Sequence, residues 1–148
     1  MVDVAEQVGR RFAPVLYAVG REKIREFAAA VGETDPLFHD LDAARAAGHP
    51  DLLAPPMFAV VYGGAAVRPV LFDPALGIDF ARVVHGAQAF RWPGPPVRAG
   101  EEITTVITVG EISERAGLRF YRLTQASHNA GGRLVCEGTW TIIVRGQG

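Results

Sequence analysis

The sequence predicts an α+β fold in one domain spanning residues 1–148: a long antiparallel sheet wrapped around a buried central helix, a hot-dog architecture. Three observations predict it. Helix-period patterning stops before the middle of the chain. The stretch from Met57 to about Leu71 is almost wholly apolar, with Met57, Phe58, Val60, Val61, Tyr62 and Val67 around Gly63 and Gly64. From Arg82 onward the hydrophobic period changes to two.

Each element has a local reason. Val15 to Val19, after Pro14, reads as a short strand. Gly20 opens a helix over about 21–31, with Ile24, Phe27, Ala28 and Val31 at i, i+3, i+4 and i+7 on one face and Gly32 as its stop. Glu33-Thr34-Asp35-Pro36 is a turn, because proline disfavours helix at the residue before it and Asp initiates turns. A short helix over about 41–47 has Asp40 as N-cap and Gly48 as stop. Pro56 suits the first turn of the central helix. A helix apolar on nearly every face must be buried, and Gly63 and Gly64 permit close packing on a sheet.

Strands are expected near 82–92, 102–111, 118–127 and 133–144. Ile103, Thr105, Ile107 and Val109 share one face of the second. Leu134, Cys136, Gly138, Trp140, Ile142 and Val144 share one face of the last. Glu114-Arg115-Ala116-Gly117 and Asn129-Ala130-Gly131-Gly132 are hairpin turns. One such sheet leaves edges open, so dimerisation by sheet extension is expected.

Composition excludes several functions. The 148 residues carry a net charge of -1, which argues against nucleic acid as a partner, since phosphate binding wants a basic excess. The single cysteine, Cys136, forbids an internal disulfide and suits a reducing cytoplasm. Four dispersed histidines and that one cysteine argue against a structural zinc site. No apolar run reaches the ~18 residues of a transmembrane helix, and the acidic start of the chain is unlike a signal peptide, so no membrane association is expected.

Five segments in register carry a family resemblance. They are Val19-Gly20-Arg21-Glu22-Lys23-Ile24-Arg25-Glu26-Phe27-Ala28, Gly32-Glu33-Thr34-Asp35-Pro36-Leu37, Ala54-Pro55-Pro56, Val84-His85-Gly86-Ala87-Gln88-Ala89-Phe90 and Pro96-Val97-Arg98-Ala99-Gly100-Glu101. Together they resemble the MaoC-like hot-dog superfamily, in its branch of FAS1-like or MaoC N-terminal dehydratase domains. That branch includes accessory subunits of mycolic-acid (3R)-hydroxyacyl-carrier-protein dehydratases. The resemblance implies addition or removal of water across the α,β-bond of an acyl thioester, carried by coenzyme A or acyl carrier protein, without metal or redox cofactor. A histidine base and an aspartate do the proton work, and backbone N–H groups at a helix start hold the developing enolate.

Position by position, the family motif is altered here. Pro36 matches its proline, but its aspartate falls on Glu33 and its histidine on Phe38; its asparagine falls on Asp35 and its last aspartate on Asp40. Aligning Met57 with the methionine of the family's His-Gly-Met segment puts Pro56 on the glycine, and proline has no N–H to give. The resemblance therefore implies an acyl-binding subunit without the usual dyad, paired with a homologous hot-dog partner that supplies it.

A one-residue slip would offer Glu33 and His39 as a catalytic pair in a self-sufficient homodimer; otherwise His39 is a turn histidine beside Asp40. A module that binds acyl thioesters without turnover is the third expectation. Phe38, Pro56 and Met57 are the expected acyl-tunnel residues. His85 and Gly86 are candidates for the pantetheine or acyl groove, beside a structural role for His85, and Arg98 is a candidate for a phosphate of the carrier arm, beside a solvated strand-start role.

Overall fold

The computed structural model describes residues 3–146. In chain order it contains β1 (Val15–Ala18), α1 (Arg21–Ala30), α2 (Leu41–Ala46), α3 (Ala59–Leu71), β2 (Val83–Arg91), β3 (Glu102–Arg115), β4 (Leu118–His128) and β5 (Leu134–Arg145). The five strands form one sheet in the order β1-β3-β4-β5-β2, and every neighbouring pair is antiparallel. Among the described residues no helix is long and apolar enough to cross a membrane.

Local signals place the first helices as expected. Gly20 caps α1, Ile24 and Ala28 are fully buried, Phe27 packs at the core edge, and Gly32 ends the helix with φ +75°. Val31 departs from the expected face: it lies just past the last turn and is exposed. Asp40 caps α2 by accepting from the N–H groups of Asp42 and Ala43. Asp35 folds the turn before it, its carboxylate accepting from Leu37 N–H at 2.9 Å.

The central helix begins in a 3-10 turn, Pro56–Phe58, and continues as α3. Its sheet-facing side, with Ala59, Tyr62, Gly63, Ala66, Val67 and Val70, is buried. The opposite side is not, with Val60, Val61, Gly64 and Ala65 half-buried and Arg68 exposed, so burial is less complete than apolar composition predicts. Gly63 is where helix and sheet come closest: a Cβ there would overlap the Gln125 side-chain amide. Gln125 belongs to a buried polar chain. It accepts from Trp140 Nε1–H at 2.7 Å and donates to Ser127 Oγ at 3.0 Å, and Ser127 meets Thr105 Oγ1 at 2.7 Å.

The sheet follows the period-two pattern, with Ile103, Thr105, Ile107 and Val109 buried on β3 and Cys136, Gly138, Trp140, Ile142 and Val144 buried on β5. The first hairpin is tighter than expected. Glu114 pairs with Arg119 and Arg115 with Leu118, leaving Ala116 and Gly117, both with positive φ, as a two-residue turn. Residues 9–12 continue along β3 beyond β1, through Gly9 N–H to Val109 O and Phe12 N–H to Ile107 O, and so cover much of that edge. The other edge, β2, is largely exposed and bulged between His85 and Ala87.

Candidate functional site

The turn between α1 and α2 brings Glu33 and His39 together. His39 Nε2 lies 2.6 Å from the Glu33 main-chain oxygen. A carbonyl only accepts, so this contact assigns the ring proton to Nε2 and engages the Glu33 backbone rather than its carboxylate. Arg25 Nε donates to the His39 carbonyl at 2.9 Å, which anchors the turn on α1. Phe38 turns inward and packs against the core cluster that contains Phe58 and Tyr62.

This turn is stitched to the head of α3. Leu53 N–H donates to Leu37 O at 3.0 Å, and Leu53 bridges Arg98 across a short antiparallel contact. Ala54 N–H to Val97 O and Ala99 N–H to Leu52 O complete that contact. Arg98 is occupied locally: its N–H donates to Glu101 Oε2 at 2.6 Å, and its guanidinium lies 3.9 Å from the same carboxylate. Pro55 and Pro56 have no N–H to offer, and Phe58 N–H is bonded to Pro55 O. Met57 is exposed beside them.

Two apolar spaces flank α3. The first, about 150 Å³, lies under its head, between Ala54, Pro55, Pro56, Phe58, Ala59 and Tyr62 on one side and Trp92, Gly94, Pro95, Pro96, Val97 and Val135 on the other. Trp92 Nε1–H donates to Pro56 O at 3.0 Å and ties the two proline-rich walls together. Behind the cavity, burial pushes the Tyr62 phenol well above its ordinary range, with the Cys136 thiol adding to the shift. Burial likewise raises Cys136. Both groups are thus neutral at physiological pH, and of the two only Tyr62 lines the cavity.

The second space is a groove of about 340 Å³ beside the later half of α3, lined by Gly64, Val67, Arg68, Leu71, Phe72, Phe80 and Trp140. Phe72 and Phe80 pack on each other with ring centroids 4.8 Å apart, and both are exposed. His85 stacks on Trp140 at 5.2 Å, and its Nε2 lies 3.0 Å from Gln88 Oε1. Gly86 sits at the β2 bulge, where a Cβ would overlap Ile143.

Of the expected binding residues, then, Pro56 lines the head cavity, Phe38 packs near it, His85 and Gly86 belong to the β2 side, and Arg98 is paired with Glu101. Trp92, Tyr62, Ala59 and Val135 were missed. The Trp92 bond spans 36 residues of sequence, and the only local signal was a tryptophan followed by Pro93-Gly94-Pro95-Pro96. Among the described residues no group of three or more His, Cys, Asp or Glu is arranged to hold a metal ion.

Known proteins match this chain over nearly all its length. A UPF0336 protein of Saccharopolyspora erythraea is 44% identical over 140 residues, covering 94% of this chain and 89% of that protein. One of Streptomyces coelicolor is 44% identical over 138 residues, covering 93% and 91%. Among solved structures, the C-terminally truncated HadBC (3R-hydroxyacyl-ACP dehydratase) complex of Mycobacterium tuberculosis contains a chain with a TM-score of 0.79 and 28% identity, covering 93% of this chain and 96% of that one. The unliganded R-hydratase PhaJ1 of Pseudomonas aeruginosa shares the fold, with a TM-score of 0.75, 20% identity and coverage of 99% and 87%. The family model for the FAS1-like dehydratase domain region matches residues 6–138, and the chain belongs to that family.

Proposed function

We propose that this chain is the acyl-binding, non-catalytic subunit of a (3R)-hydroxyacyl-thioester dehydratase or enoyl-thioester hydratase. A homologous hot-dog partner would supply the aspartate and histidine. The observation that carries this reading is the inward packing of Phe38, an apolar ring at the position the family motif gives to its proton-transferring histidine. Phenylalanine neither takes nor gives a proton. Pro56 adds to it, since a residue without N–H cannot stabilise an enolate oxygen through its own amide.

Two features support a partner. The β2 edge is exposed, and its unpaired backbone groups suit extension of the sheet into a second subunit. The outer side of α3 and the Phe72–Phe80 pair give the same flank an apolar surface. Heteromeric assembly also occurs among structural neighbours, in HadBC and in the ChsH1-ChsH2 complex of Mycobacterium tuberculosis. The substrate is an acyl thioester of coenzyme A or acyl carrier protein. Water addition to an enoyl thioester transfers protons without net electron transfer, so the proposed chemistry names no metal or redox cofactor. A cytoplasmic setting suits the free, buried Cys136 thiol.

A self-sufficient homodimer is the second reading, favoured by the Glu33–His39 contact. It ranks below the first because the contact uses the Glu33 carbonyl oxygen. The test is hydration of a (2E)-enoyl coenzyme A, followed by loss of conjugated absorbance. The expected result is no turnover by the purified chain alone and turnover once a dyad-bearing hot-dog partner is added. Turnover by the chain alone would establish the homodimer. Thioester binding without turnover in any pairing would leave a binding module.

A further inference from the structure

We infer that the flank formed by β2 and the later half of α3 selects a hot-dog partner that presents hydrogen-bond acceptors and a carboxylate, and discriminates against a second copy of this chain. Arg68 and the Gln88 amide are the selecting groups. This rests on the subunit reading above and adds what the partner's edge must present.

Gln88 belongs to a built cluster. It lies three residues after His85, so a regular strand would turn the two side chains to opposite faces. The bulge between His85 and Ala87 removes that offset. His85 Nε2–H then donates to Gln88 Oε1 at 3.0 Å, since an amide oxygen only accepts. The imidazole stacks on Trp140, which is the residue paired with Gln88 across the sheet. The amide oxygen is thus engaged, while Gln88 Nε2 is buried with no hydrogen-bond partner. A buried donor without an acceptor destabilises the isolated chain. A docked acceptor would relieve it.

Arg68 makes the same demand beside the same tryptophan. Arg68 and Trp140 both line the apolar groove of about 340 Å³. Arg68 is exposed, and among the described residues it forms no ion pair; its guanidinium carbon lies 5.9 Å from the Phe72 ring centroid. Phe72 and Phe80 are 56% and 53% exposed, so the groove offers apolar area for docking. Neither α3 nor β2 contains an Asp or Glu. The carboxylates next to β2, Asp79 and Glu137, are engaged by Arg82 and Arg91.

A second copy would therefore bring the same cation and the same engaged oxygen. Its docking would strip water from Arg68 and return no carboxylate. A partner with a carboxylate for Arg68 and an oxygen for Gln88 satisfies both donors.

Sedimentation equilibrium of the purified chain tests the discrimination. Weak self-association is expected, and Arg68→Leu should tighten it about tenfold, because an unpaired charge no longer has to be desolvated. Arg11→Leu, on the opposite edge of the sheet, should leave self-association unchanged and controls for added apolar surface. Gln88→Leu should raise the urea midpoint of the isolated chain, because it deletes the orphaned donor, and water reaches the exposed His85. Against the dyad-bearing subunit of the hydration assay, Arg68→Leu and Gln88→Leu should each weaken binding about tenfold. A merely structural role would not move self-association and partner binding in opposite directions. Circular dichroism identifies a variant that fails to fold, and the other then decides. A wild-type homodimer that persists at nanomolar concentration would overturn the proposal, as would self-association no tighter in Arg68→Leu than in Arg11→Leu. A lowered midpoint in Gln88→Leu would overturn the role of the amide. If a pairing turns over while both variants bind that partner unchanged, this proposal fails and the subunit reading stands. If binding depends on Arg68 and Gln88 but no pairing turns over, the dehydratase reading fails and the selecting flank stands.

Discussion

At Gly63 the central helix lies on the sheet with no room for a methyl group, whereas about one turn earlier, at Ala59, it borders an open cavity of about 150 Å³. The two regions share a helix and a sheet but differ in what fills the gap. Beneath Gly63 stands an amide held by Trp140 and Ser127, so the contact is specific, and Thr105, Ser127, Gln125 and Trp140 each find a hydrogen-bond partner within one buried network. Beneath the head, rigid proline walls keep side chains apart. The contrast teaches that a helix can be fixed in position by one tight contact while its neighbouring turn is left free to receive something.

The largest expected effect comes from breaking the tight contact. Gly63→Ala drives a methyl group into the Gln125 amide, which cannot swing aside without losing its bonds to Trp140 and Ser127. Overpacking of this kind costs about 2–3 kcal/mol, with a fall in Tm of about 5–10 °C for a domain of this size. Urea denaturation measures it. Adding Gln125→Ala should recover part of the loss, because the methyl then has space. A neutral Gly63→Ala would mean that the amide is not held as the hydrogen bonds imply.

Gln125→Leu is next. It keeps the approximate volume but leaves the Trp140 indole N–H without an acceptor in a buried site. An orphaned buried donor costs about 1–3 kcal/mol, and the same urea midpoints report it. At the head, Trp92→Phe removes only the bond to Pro56 O from a residue that is partly in water. A loss of about 0.5–1 kcal/mol is expected, smaller than at Gln125 because water can satisfy the freed carbonyl. Equal losses at the two sites would erase the distinction between the filled and the hollow turn.

The tight region was partly legible in the sequence and the hollow one was not. Gly63 in an otherwise apolar run signals close approach, and the alternation through Ile103, Thr105, Ile107 and Val109 fixes the face it approaches. Gln125 gave no signal, because a lone glutamine at an inward position reads like any interruption of the pattern until its two partners, Trp140 and Ser127, are brought together. Caps and stops such as Asp40, Gly32 and Gly48 were legible because they act within four residues. The cavity depends on Pro56 meeting Trp92 and on Ala59 facing Val135, contacts fixed only by the folded sheet. Phe38 and Pro56 were informative through the family motif, which locates a missing function but carries no measure of the space around it.

The other end of α3 sharpens the comparison with the smallest effect. Just past the helix, Asp73 accepts from Arg10 Nη2 at 2.7 Å and Nη1 at 3.3 Å, and from Ala75 N–H at 2.9 Å. This clamp ties the N-terminal segment that covers β3 to the end of the central helix. The Arg10 hydrogen bonds, helped by Ala75 N–H, hold the Asp73 carboxyl below the usual carboxylate range against the opposing pull of burial. A carboxyl whose folded pKa is depressed contributes stability that is present above its unfolded pKa of about 3.9 and is lost as pH falls through the lower, folded value. Arg10 is partly exposed, so Arg10→Ala should cost only about 0.5 kcal/mol at pH 7. The gap between wild type and variant in urea midpoint should then shrink as the pH is taken well below 4. A gap that persists undiminished in acid would show that Arg10 acts there by packing over the Phe12 ring, 4.5 Å from its guanidinium carbon, rather than through the Asp73 charge.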